Sequence, residues 1–132
     1  MGAVVYMRTF FKQLTEFVGQ LEEMFPDDPD FAVFQTFLGL IQRTNPQMIL
    51  ATIREHVVDK YETQITDRDE AFILNYTGGE YDSEVMNIVS KLRTYWKTLS
   101  EPSKNAMWQY LHVLTQLCKR YYAEVDSKNK LE

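Results

Sequence analysis

Apolar residues recur along this chain at helical spacing. The first run is Met7, Phe10, Leu14, Phe17, Leu21 and Met24, whose alternating steps of three and four keep one apolar face. Phe11, Val18 and Phe25 widen that face, and the pattern predicts a helix from about Val5 to Phe25. Pro26-Asp27-Asp28-Pro29 ends it. Pro26 turns Phe25 away from helical geometry, the aspartates can cap the next helix, and Pro29 suits a first helical position. The second helix, about Pro29 to Arg43, presents Phe31, Phe34, Phe37, Leu38 and Ile41. Asn45-Pro46 reads as a cap and first-turn proline for a third helix carrying Ile49, Leu50, Ile53 and Val57.

The stretch from Glu62 to Tyr76 allows two readings. Asp67-Arg68-Asp69-Glu70 has the form of a capping box, with Asp67 at the cap and Glu70 three residues on. It would open a short helix, Arg68 to Asn75, that buries Ala71, Phe72 and one of Leu74 or Ile73. The alternative is one longer helix kinked near Thr66. Thr77-Gly78-Gly79 reads as a turn. A fifth helix follows from Ser83 to Leu99, capped by Asp82 or Ser83, with Val85, Ile88, Val89, Leu92, Tyr95, Trp96 and Leu99 as its stripe. Ser100-Glu101-Pro102 opens the sixth, with Ser100 as cap and Met107, Tyr110, Leu111, Leu114, Leu117, Cys118 and Tyr121 inward. The tail from about Asp126 is polar and expected to fray. Ala3-Val4-Val5-Tyr6 comes nearest to a strand but has no hairpin partner. The expectation is an all-α, single-domain bundle of five to six helices over residues 1–125, followed by a polar tail, 126–132. Its last pair, Leu131-Glu132, resembles a cloning remnant.

Composition narrows the functions. Hydrophobic residues form 45% of the 132, enough for one core without a metal or disulfide. The net charge of -5 argues against nucleic-acid binding, which needs a basic face. Lys91, Arg93, Lys97, Lys119 and Arg120 read first as solvated helix faces. Cys118 is the only cysteine, so no internal disulfide forms and a reducing, intracellular setting fits. No apolar run is long enough to span a bilayer, and Met1 to Phe11 lacks the apolar core of a signal peptide. Gly2 follows the initiator Met, but Tyr6 stands where N-acylation requires Ser or Thr, which argues against acylation.

Chemistry-bearing patterns are absent by inspection. His56 and His112 are far apart and belong to no zinc-ligand spacing. A calcium loop from Asp67 would place Phe72 where glycine is needed and Gly78 where glutamate is needed. Thr77-Gly78-Gly79 lacks the lysine and surrounding glycines of a phosphate loop. Cys118 lies on an apolar stripe, where a thiol stays protonated. These readings imply no catalytic residues, no metal and no cofactor. The aromatics raise the remaining question. Trp108 and Tyr122 fall off the strict stripe of the sixth helix, and exposed Trp and Tyr are interface anchors. The other reading has them closing the core from the sides of a central helix.

The motifs "EMFPDDPDF", "RTNP", "DRDEAFIL" and "YWKTLSEPSKNAMWQYLHVL", over roughly Phe10 to Leu117, resemble a group of small helical proteins of nucleocytoplasmic large DNA viruses. That resemblance implies a viral protein in the cytoplasm or viral factory of an infected cell. It carries over no activity. The functional expectation is a non-enzymatic module that binds a protein, viral or host, or another copy of itself. Its expected surface comprises Tyr95, Trp96, Trp108, Tyr110, Tyr122, Asp67, Asp69 and Tyr81. Alternatives are a small-molecule or lipid binder with an aromatic-lined pocket, and a DNA-associated viral factor.

Overall fold

Helix α1 spans Gly2–Met24 in the computed structural model, which describes residues 2–75 and 84–130. It begins ahead of the expected Val5 because Ala3 and Tyr6 also pack on the core, so Ala3 to Tyr6 is helix and not strand. Helix α2 covers Asp30–Thr44. A continuous rod follows: α3 (Pro46–Ile53), a π turn (Arg54–Val58) and α4 (Asp59–Thr66). The short α5 is Glu70–Leu74, and α6 is Glu84–Tyr95, running into a 3₁₀ turn at Trp96–Thr98. Helix α7, Glu101–Lys130, is the longest. With the rod counted once, the described residues form six helices and no strand, an all-α single-domain bundle.

Local chemistry sets the breaks. Asp28 Oδ1 accepts a 3.0 Å hydrogen bond from the Asp30 N–H at the start of α2. Pro46 occupies the first turn of α3 as expected, although the Asn45 side chain makes no capping bond. Asp67 does not cap α5; it ends α4. Arg68 adopts a left-handed φ of 53°, and the Asp69 N–H reaches back 2.8 Å to the Gln64 carbonyl. That closure terminates a helix and is usually made by glycine. Asp69 is the cap of α5, its Oδ1 accepting 3.0 Å from the Ala71 N–H. The two-helix reading therefore holds over the kinked one. Ser100 Oγ accepts 3.3 Å from the Ser103 N–H in the first turn of α7, as its sequence position implies. The backbone helix of α7 continues past Asp126 to Lys130, further than the polar composition predicted.

Helices α1 and α7 run antiparallel, with Gly2 against Glu124 at one end and Phe17 against Tyr110 further along. Phe10, Phe11, Leu14, Phe17, Val18 and Leu21 of α1 are buried together with Met107, Leu111, Leu114 and Cys118 of α7 in one cluster. Each such side chain contributes about 1.5–3 kcal/mol. The α3–α4 rod packs on another side of α7, and α2 bridges α1, α3 and α6. The π turn shifts the phase of the rod so that the adjacent Val57 and Val58 are both buried.

Candidate functional site

The two tryptophans are core residues, which corrects the expectation that they form a binding surface. Trp96 is 0% exposed and Trp108 5%. Their rings meet edge to face at 5.2 Å. Trp96 Nε1–H donates 3.1 Å to Glu70 Oε1, and Lys104 Nζ lies 3.3 Å from the same oxygen. Those two donors, Trp96 first, hold the Glu70 carboxyl below its ordinary pKa. Trp108 lies off the single apolar stripe yet is buried because α7 has neighbours on several sides. Thr115 and Tyr122 continue the same flank at steps of seven, and Thr115 is also buried.

Tyr95 is half-buried and serves the fold. Its ring stacks on Phe25 at 3.9 Å, and its hydroxyl donates 2.5 Å to Asp28 Oδ2. Lys91 Nζ sits 2.8 Å from Asp28 Oδ2 and 2.8 Å from Asp30 Oδ2. Hydrogen bonds from Lys91, Tyr95 and the Asp30 N–H, in that order, pull the Asp28 pKa from 3.8 to about 2. Asp28 and Asp30 raise Lys91 in return, and Asp28 raises Tyr95. This knot ties the α1–α2 turn to α6.

The remaining expected positions lie apart. Tyr110 is half-buried against Phe17 at 5.6 Å, beside an open groove with Gln13, Gln109 and Val113. Tyr122 is half-buried beneath Arg54, whose guanidinium stands 4.2 Å from the ring centre. That pair borders an open groove of about 530 Å³ between the rod and α7. Lys119 there is paired with Glu62. Cys118 lies at its base, donating 3.6 Å to the Leu50 carbonyl, and burial pushes its thiol up to about 12. Such a thiol is a poor nucleophile. Asp67 and Asp69 are exposed at the α4–α5 break, and Tyr81 lies outside the described residues. The described positions among them thus form no single site.

The surface that stands out was not among them. Helix α2 buries Phe31, Phe34 and Leu38 on one side. On the other, Val33 is 55% exposed and Leu40 51%, with half-buried Phe37 between them at helical spacing. Ala32, Thr36 and Gly39 are exposed alongside. No charged residue occurs between Asp30 and Arg43, in a chain one quarter charged. Gly39 stands in mid-helix, and a methyl group there would meet nothing within 4 Å outside its own helical turns. The signal was present in the sequence: Val33 and Leu40 exceed what one buried stripe accommodates, and the charge-free run coincides with them.

The described residues contain no group of three His, Cys, Asp or Glu arranged to hold a metal ion. An apolar pocket lined by Leu14, Phe17, Ile53, Phe72, Leu111 and Thr115 measures about 30 Å³, far below the volume of a small-molecule site, whereas the open groove beside Tyr122, at about 530 Å³, falls within that range. Two of the cations noted for nucleic acid, Lys91 and Lys119, are engaged by carboxylates. No described helix is long and apolar enough to cross a membrane. Comparison with protein families, curated proteins and solved structures finds no match to this chain.

Proposed function

We propose that this chain is a non-enzymatic helical module that binds a protein through the outward face of α2. One observation carries the reading: Val33 and Leu40, exposed on either side of a Phe37 that packs partly on the core, form a second apolar stripe with no charged residue among them. Scattered exposed aliphatics are ordinary, but a contiguous charge-free stripe along a surface helix is the composition of an interface centre. Gly39 supports it. Mid-helix glycine costs about 1 kcal/mol relative to alanine, and no packing within the described chain requires it. The likeness to helical proteins of large DNA viruses supplies the setting, the cytoplasm or viral factory of an infected cell.

The test is affinity capture from source-cell lysate with the full chain and with a Val33→Glu, Leu40→Glu variant, each checked for unchanged circular dichroism and melting temperature. A stoichiometric protein retained by the parent and lost by the variant is the expected result. Equal capture by both would move the interface off α2, and no capture by either, together with a monomeric parent in sedimentation equilibrium, would remove the reading.

A further inference from the structure

The occupant of the α2 face can be argued from its symmetry. This inference rests on the reading of α2 as an interface and names its partner. Val33 and Leu40 lie equally far from the midpoint between Thr36 and Phe37, as do Asp30 and Arg43. A two-fold axis through that midpoint, perpendicular to the helix, lays α2 antiparallel on α2 of a second copy. Val33 then meets Leu40 of the second copy, Thr36 meets Phe37, and the acidic end at Asp30 meets the basic end at Arg43. Each contact occurs twice, as an isologous interface requires.

Electrostatics select this arrangement over its rivals. Each copy carries a net charge of -5, so most pairs of faces repel. The α2 face is uncharged between Asp30 and Arg43 and can meet itself without that cost. A parallel pairing would set Asp30 against Asp30 and align the helix dipoles unfavourably. Antiparallel pairing brings the end carrying Asp30, half exposed despite its Lys91 contact, alongside the end carrying Arg43. Exposed Arg43 engages nothing among the described residues. Asn87, Ser90 and Thr94 of α6 border the groove beside Val33, together with the paired Asp30 and Lys91. One helix pair with such a margin is a small interface, which places the association at the weak, micromolar end.

We infer that the chain self-associates as an antiparallel α2–α2 homodimer with Val33 of one copy opposite Leu40 of the other. Sedimentation equilibrium of the full chain across the micromolar range should show a monomer–dimer equilibrium. The Val33→Glu, Leu40→Glu variant should raise the dissociation constant at least tenfold while melting normally at high dilution. Register is read by disulfide trapping in a Cys118→Ala background. Mixing Val33→Cys and Leu40→Cys proteins should give the mixed disulfide in preference to either homodisulfide. A monomeric parent, or homodisulfides in preference to the mixed one, overturns the inference. Failure of this pairing is separable from failure of the interface reading. If the parent is monomeric yet loses a captured lysate protein on the Val33→Glu, Leu40→Glu change, the face serves a different partner. If capture is also unaffected, both proposals fall.

Discussion

Helix α7 around Trp108 and helix α2 around Leu40 invert the usual association of residue type with surface role. The amphipathic indole, a typical interface anchor, is buried against Trp96, while the plain aliphatic Leu40 is half exposed. The difference lies in neighbours. Helix α7 is flanked by α1 and by the α3–α4 rod, so its buried sector is broad enough to take in Trp108, Thr115 and Tyr121. Helix α2 touches α1, α3 and α6 with a narrower buried sector, Phe31, Phe34 and Leu38. Beyond that sector Phe37 and Ile41 pack partly on the core, and Val33 and Leu40 stay exposed. Residues in excess of a helix's packing needs mark a surface better than aromatic character does.

The sharpest way to break this contrast is Trp108→Ala. A buried aromatic truncated to alanine costs about 3–5 kcal/mol, read as a lowered urea midpoint at unchanged slope. A loss under about 1 kcal/mol would place Trp108 outside the core and revive the aromatic surface. Next in size is the knot at Asp28, where a polar cluster performs the packing role. The Asp28 pKa falls from 3.8 unfolded to about 2 folded. Its contribution is therefore complete above the unfolded value and is lost as pH falls through 3.8 toward 2. Asp28→Asn should cost about 1.5–3 kcal/mol at neutral pH, as for hydrogen bonds to a charged group. Below pH 2 the cost should shrink sharply. Urea unfolding of both proteins at several pH values checks it, and a pH-independent difference would show that the carboxylate charge is not what α6 holds.

Much of this architecture was legible in the chain, and the exceptions share a cause. The stripes of α1 and α2, Pro46 in the first turn of α3 and the Ser100 cap follow from local rules that act within a few residues. Asp67 was mistaken for the α5 cap because the backbone closure at Arg68 uses a left-handed conformation that arginine rarely adopts. No residue pattern announces it. Trp108 was ambiguous because its burial depends on how many helices flank α7, a tertiary quantity. Tyr95 looked like an anchor because its carboxylate partner, Asp28, lies far away in the sequence. The α2 face was readable from the charge-free run between Asp30 and Arg43. Phe31, Phe34 and Phe37 by themselves account for an amphipathic helix, so the second stripe does not stand out among the expected positions.

Two smaller effects sharpen the α2 side of the comparison. Gly39→Ala should stabilise the dilute monomer by about 0.5–1 kcal/mol, since alanine is the better helix former and the added methyl meets open space. A destabilisation in thermal or urea melts would mean that Gly39 is needed inside its own domain, and it would cease to support an external partner. The smallest expected change is Leu40→Glu. Leucine and glutamate have similar helix propensity, and Leu40 is 51% exposed. Monomer stability should therefore move by no more than about 0.5 kcal/mol. That near-zero effect is the counterpart of the Trp108 result, because a binding face should tolerate charge where a core cannot. The measurement belongs at submicromolar protein, since association would itself stabilise the parent and exaggerate the loss at higher concentration. A cost of about 2 kcal/mol or more at high dilution would show that Leu40 packs within its own chain. The contrast between α7 and α2 would then reduce to two degrees of burial in one core.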